Sequence, residues 1–118
     1  MESFDYDLIV IGAGSGGTRA ARIAAGYGAK TAVIESDRPG GTCVLRGCVP
    51  KKLLIYGSEF SRNVDDAIGY SWEVGEVKPN WFDLITKKNK ELDRLHDIYK
   101  NLIINSGCDL YNGYGKLI

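Results

Sequence analysis

Cys43 and Cys48 stand five positions apart in the run Gly-Gly-Thr-Cys-Val-Leu-Arg-Gly-Cys-Val-Pro-Lys-Lys at residues 40–52. Sulfurs this close in sequence can alternate between a disulfide and a dithiol if the backbone lets them meet. On a regular helix a five-residue step rises about 7.5 Å and turns about 140°. That exceeds the roughly 7 Å Cα separation a disulfide can bridge. The chemistry therefore needs irregular backbone between the sulfurs, and Gly47 is a residue that tolerates it. Pro50 lacks an amide hydrogen and suits the first turn of a helix. Cys48 would then lie near that helix's N-terminus, where the dipole favours thiolate, with Lys51 and Lys52 adding positive charge. The pattern reads as a redox-active pair. Two other chemistries use close cysteines. Structural zinc wants four ligands, and the remaining Cys108 and His96 form no second pair. A purely structural disulfide would close a very short loop, in a chain whose start carries no secretion signal.

The elements that must position this pair come before it. Residues 6–11, Tyr-Asp-Leu-Ile-Val-Ile, form an apolar run suited to a strand buried on both faces of a parallel sheet. Gly12-Ala13-Gly14-Ser15-Gly16-Gly17 follows and fits G-x-G-x-x-G. Gly12 permits the tight turn, Gly14 lets a pyrophosphate approach the backbone, and Gly17 lets the next helix pack close to the strand. That helix, over residues 18–28, is rich in alanine, with Gly26 and Gly28 as stop signals. Residues 30–35 read as a second strand ending in Glu35, placed about 20 residues past the glycines to bind the ribose hydroxyls of an adenine dinucleotide. An acid there repels a 2′-phosphate and so favours FAD or NAD over NADP. A lone G-x-G-x-x-G also describes an ordinary glycine-rich turn; strand, helix and acid together make it a Rossmann-type half-domain.

Beyond a loop at residues 36–41 and the cysteines, residues 53–60 continue as an apolar helix. Residues 63–80, broken by Gly69, Gly75 and Pro79, predict a turn or short excursion. A long helix is expected over residues 81–105, with Trp81, Leu84, Leu92, Leu95, Tyr99 and Leu102 on one face. The charge run at residues 87–91 reads as its solvated side, and the lone histidine, His96, as a surface residue. Cys108 reads as a small buried hydrophobe before a short strand at residues 109–111. The last residues, 112–118, carry turn glycines and then apolar residues, a poor place to end a domain. A length of 118 residues with 44% hydrophobic content gives one domain or a piece of one. Lys+Arg and Asp+Glu each number 15, so nothing points to nucleic acid. The acidic start and short apolar runs predict no signal peptide and no membrane span, and three cysteines fit a reducing, cytoplasmic setting.

Together these residues resemble the FAD-binding N-terminal part of the pyridine nucleotide-disulfide oxidoreductases, across essentially the whole chain. Val-Pro-Lys-Lys after Cys48 is similar to the glutathione, trypanothione and large thioredoxin reductases, where dihydrolipoamide dehydrogenases have Pro-Ser-Lys. The glutathione reductases are most similar. Leu45-Arg46-Gly47 departs from the commoner Asn-Val-Gly but resembles a variant in some bacterial and plant members.

The resemblance implies an α/β, three-layer, parallel-sheet FAD-binding domain, the N-terminal part of a larger reductase. The NADPH-binding and dimer-interface domains would lie outside residues 1–118. It implies that Cys43 attacks glutathione disulfide, that Cys48 lies against the flavin, and that Lys51 stabilises charge near the flavin's N5 side. Ser15 and Gly16 would contact the pyrophosphate, Glu35 the ribose, Thr42 the dinucleotide near the cysteines, and Gly115 the adenine end. Tyr99 would line the glutathione site, or simply belong to the apolar face of its helix. NADPH would reduce FAD, FAD the disulfide, and the dithiol the substrate, in a homodimer whose second subunit supplies an acid–base histidine. His96 is not in the family's His-Pro motif and does not take that role. No metal is implied, and the isolated chain is expected not to turn over. A sister disulfide reductase or a non-catalytic dinucleotide-binding module would share this sequence.

Overall fold

The apolar run after Asp7 forms β1 (Leu8–Ile11), and Gly12 turns the chain into α1 (Ser15–Gly26). This computed structural model describes residues 3–118. β2 (Thr31–Glu35), α2 (Gly41–Leu45), α3 (Cys48–Gly69), α4 (Trp81–Asn105) and β3 (Asp109–Asn112) follow in order. The three strands make one parallel sheet in the order β1-β2-β3, with Val10 beside Val33 and Val33 beside Leu110. β1 starts later than the apolar run because the Asp7 carboxylate accepts from the Lys30 amide (2.8 Å) at the point where the ladder would continue.

The core lies on one face of this sheet. Ala13, Ala21, Val33, Ile103 and Cys108 are buried together, with Val10, Ala25 and Leu110 packed against them. The alanines of α1 make the thin face the sequence suggests, and Cys108 is the small buried residue expected, its thiol directed at the Ala21 carbonyl (3.5 Å). The expectation that β1 is buried on both faces is not met: on the helix side Val10 is half-buried against the core and Leu8 is exposed. Ile9 and Ile11, on the other face, are 54% and 52% exposed. An apolar run records that a strand can be covered twice; the described residues cover it once, and they build two of the three expected layers.

α3 corrects the sequence reading. It continues as a 22-residue helix through residues 63–69, because the stretch before Gly69 contains no breaker. Gly75 and Pro79 fall in the connection to α4. α3 and α4 pack where Gly57 meets Leu84, and beyond that point Phe60, Ile68, Trp72, Trp81 and Phe82 stand in solvent. The protruding pair gives the molecule its 78 × 25 × 19 Å extents. α4 has the expected bounds: Asn80 caps it by accepting from the Asp83 amide (3.0 Å). Its buried side centres on Leu92 and Ile103, with Leu84, Leu95, Tyr99 and Leu102 half-buried and Trp81 exposed. The charge run is solvated, Lys87 pairing with Asp83 (2.8 Å) one turn away. No helix of the described residues is long and apolar enough to cross a membrane.

Candidate active site

Gly12 takes φ +104°, a value that favours glycine, and its amide donates to the Ile34 carbonyl (2.7 Å), joining the end of β1 to β2. A Cβ at Gly17 would collide with the Gly12 carbonyl oxygen and press on Val10, so Gly17 does set the close approach of α1 to β1. Gly14 is the N-cap of α1 and has no side chain to cap it. The first amides of the helix, at Ser15, Gly16 and Gly17, have no intrahelical acceptor and are free for an anion. Ser15 and Gly16 are exposed. One support escaped the sequence reading: buried Thr18 donates its hydroxyl to the Ala13 carbonyl (3.1 Å), closing the loop from inside.

Glu35, half-buried at the end of β2, accepts from the Ala13 amide through Oε2 (2.7 Å) and the Asp37 amide through Oε1 (2.8 Å). Each oxygen keeps a lone pair for a further donor. Ile11, Gly12, Ile34, Glu35, Tyr114 and Gly115 wall a pocket of about 150 Å³. A Cβ on Gly115 would stand 3.0 Å from the Ile11 side chain, so the pocket needs its missing side chain. Uncapped amides for phosphates, a carboxylate for ribose hydroxyls and an apolar recess beside it fit an adenine dinucleotide. Tyr99 is not a wall of this recess; it sits half-buried on α4.

The cysteine segment is two helices with a break between them. Cys43 lies in α2, Arg46 caps α2 with its amide on the Thr42 carbonyl (2.8 Å), and Cys48 is the first residue of α3. The irregular backbone and the helix N-terminus at Cys48 are as expected, with Pro50 buried in the first turn and the Lys51 amide on the Gly47 carbonyl (3.0 Å). Gly47 stands in the irregular backbone expected, with ψ −110°, and close packing adds a second demand for glycine. Its φ is −131°, and a Cβ would sit 3.0 Å from the Thr42 carbonyl oxygen and 3.4 Å from the Cys43 Cα. The positive φ values fall at Gly40 (+122°) and Gly41 (+66°). There the two segments meet backbone to backbone: the Gly40 amide donates to the Ala13 carbonyl (2.9 Å), and a Cβ on Gly41 would lie 2.7 Å from the Gly14 Cα.

Cys43 is half-buried, Cys48 is exposed, and both are thiols. The neighbouring Cys48 thiol is the main cause that raises the Cys43 thiol above its ordinary range; burial acts the same way, and the Cys48 backbone and Lys52 oppose them. Thr42 and Lys51 are exposed on either side of the pair. The loop before α2 is pinned to α4. Arg38 pairs with Asp93 (2.7 Å), and His96 donates Nδ1–H to the Pro39 carbonyl (3.0 Å). A carbonyl can only accept, so Nδ1 carries the hydrogen. His96 is therefore half-buried and bonded, not the surface residue expected. Between the cysteines, Arg46 pairs with Asp37 (2.9 Å).

The sequence profile described as pyridine nucleotide-disulphide oxidoreductase matches residues 6–117. The chain is 50% identical over 117 residues to a glutathione reductase of Burkholderia cepacia, covering 99% of this chain and 26% of that protein. It is 51% identical over 116 residues to a glutathione reductase of a Nostoc species, covering 98% and 25%. A dihydrolipoyl dehydrogenase of Bacillus subtilis is 35% identical over 114 residues, covering 97% and 24%. The chain spans about a quarter of the length of these curated relatives. A glycine loop packed on the segment that bears a thiol pair, in a sequence that matches the profile over residues 6–117, shows that the chain belongs to the pyridine nucleotide-disulphide oxidoreductases.

Proposed function

We propose that this chain is the FAD-binding part of a reductase that uses NADPH to convert glutathione disulfide into glutathione. The observation that carries the reading is the packing of Gly14 on Gly41, which sets a dinucleotide-type loop against the segment bearing Cys43 and Cys48. Similarity favours glutathione over lipoyl substrates, at about 50% identity against 35%. On this reading the first-turn amides of Ser15, Gly16 and Gly17 hold the pyrophosphate, Glu35 binds ribose, Gly115 makes room for the adenine end, and Thr42 and Lys51 bound the cofactor near the sulfurs. FAD held there supplies the two-electron link between NADPH and the cysteine pair.

The chain's own chemistry is thiol–disulfide exchange. Cys43, after giving up its proton, attacks one sulfur of glutathione disulfide; a mixed disulfide forms and one glutathione leaves as thiolate. Cys48 then attacks the Cys43 sulfur, forming the Cys43–Cys48 disulfide and releasing the second glutathione. One substrate disulfide is lost and one protein disulfide is formed, so electrons balance. Tyr99 would border the glutathione site. The working enzyme on this reading is a cytoplasmic homodimer whose other domains bind NADPH and supply the acid–base histidine.

The test is an anaerobic NADPH titration of the FAD-loaded protein at the length of its relatives, followed by absorbance. A long-wavelength thiolate-to-flavin band in the wild type, lost in Cys48→Ser together with glutathione disulfide turnover, supports the reading. Unchanged turnover in Cys48→Ser would leave a dinucleotide-binding module whose cysteines are bystanders.

A further inference from the structure

The turn between the sulfurs consists of Val44, Leu45, Arg46 and Gly47. Val44 is buried, Gly47 packs on Thr42 and Cys43, and the Arg46 amide is held by the Thr42 carbonyl. The Arg46 side chain is exposed and reaches the preceding loop, its Nη1 2.9 Å from Asp37 Oδ2. Asp37 stands on a fixed mount. Its own amide is bonded to Glu35 Oε1 (2.8 Å), and the next two residues are tied to α4 through Arg38–Asp93 (2.7 Å) and Pro39–His96 (3.0 Å).

We propose that Arg46 is a positioning residue for the cysteine pair, clamping the turn between the sulfurs to the loop that carries Asp37. The inference rests on the redox reading above and adds to it a residue outside the reacting atoms. The physical argument concerns ring closure. Oxidation must bring two free thiols to a sulfur–sulfur bond of about 2.05 Å. A turn held at its middle gives the dithiol less freedom to lose, so the clamp favours the disulfide. Releasing it shifts the equilibrium toward the dithiol. The ion pair is exposed on both sides, and such pairs contribute little individually. The expected shift is accordingly about two- to fivefold in the equilibrium constant.

The experiment equilibrates the 118-residue chain, anaerobically, with mixtures of oxidised and reduced dithiothreitol. Two electrons and two protons pass from Cys43 and Cys48 to the oxidised reagent, which becomes its dithiol as the protein disulfide forms. Acid quenching, alkylation and mass spectrometry read the fraction oxidised. Arg46→Ala and Asp37→Asn should each move the midpoint toward the dithiol by the stated factor, while Arg46→Lys keeps most of the wild-type value. The double variant should move it no further than either single one, and 1 M salt, with a Debye length of about 3 Å, should erase the difference from wild type. Circular dichroism of each variant confirms that the fold is kept. A wild-type midpoint in Arg46→Ala, or additive effects in the double variant, would overturn the clamp while leaving the redox reading intact. A wild-type chain that forms no internal disulfide at any ratio would overturn both.

Discussion

The joint between the glycine loop and the cysteine segment can be tested by one methyl group. In Gly41→Ala the new Cβ would lie 2.7 Å from the Gly14 Cα, about 0.7 Å short of ordinary van der Waals contact, and its neighbour is backbone with no rotamer to change. The φ of +66° at Gly41 adds a second cost. A left-handed alanine loses about 1–2 kcal/mol, and overpacking against a fixed neighbour about 1–3 kcal/mol. Together they predict a loss of about 2–5 kcal/mol, which at this chain length corresponds to roughly 4 °C in Tm for each kcal/mol. Urea unfolding followed by far-ultraviolet circular dichroism reads the difference. Gly16→Ala is the control. Gly16 is helical and has open space where its Cβ would go, so the same added methyl should be neutral or stabilise by up to about 1 kcal/mol. Opposite signs for one chemical change are the signature of the backbone contact. A Gly41→Ala protein within about 0.5 kcal/mol of wild type, or a Gly16→Ala protein as damaged as Gly41→Ala, would refute the reasoning.

Two further outcomes follow from the same geometry. The raised Cys43 thiol should be alkylated by iodoacetamide with a midpoint at higher pH than free cysteine, and Cys48→Ala should bring it back down, because the neighbouring Cys48 is the main cause. The linked stability is present below the unfolded thiol's pKa and declines as pH rises through the raised folded one, so wild type should lose more stability than Cys48→Ala across that alkaline window. Superimposable profiles would refute the coupling of Cys43 to Cys48. Glu35→Gln presents one acceptor oxygen where the Ala13 and Asp37 amides now find two. It should cost about 1–3 kcal/mol in urea unfolding even without any ligand, and an unchanged midpoint would show that the carboxylate has no structural role.

How much of this was legible in the sequence depended on whether a feature was local. Gly12, Gly17 and Glu35 could be read because a strand, a turn and a helix in immediate succession leave a fixed spacing. The break between Cys43 and Cys48 followed from helix geometry alone. Gly41 could not be assigned its role, since the demand for glycine comes from Gly14, a residue far upstream that reaches it only through the fold. Thr18 was hidden for a related reason: its hydroxyl looks like any helical threonine until the loop folds over it. The uncovered face of β1 was unreadable because an apolar strand looks the same whether its second cover is present or not. The length of α3 was misjudged by carrying the break at Gly69, Gly75 and Pro79 back to residue 63, across Asn63 and the following acids. They are tolerable on a helix that is solvated there on most sides.

Glu35 is where these separate contacts become one device. One carboxylate oxygen holds the glycine loop at Ala13, the other holds Asp37, and its backbone carbonyl accepts from Gly113 at the wall of the apolar recess (2.9 Å). Asp37 in turn faces Arg46, in the turn between the cysteines. A group that binds at Glu35 therefore donates to oxygens already shared by the loop beneath it and by the mount of the cysteine turn. A carboxylate held by two backbone amides is fixed in direction before any ligand arrives, so little ordering remains to be done on binding. The Gly14–Gly41 contact ties the same two segments a second time, through backbone alone. With both ties in place the cysteine segment and the recess beside Glu35 are held to one frame, as the proposed electron transfer between a cofactor and the thiols would require.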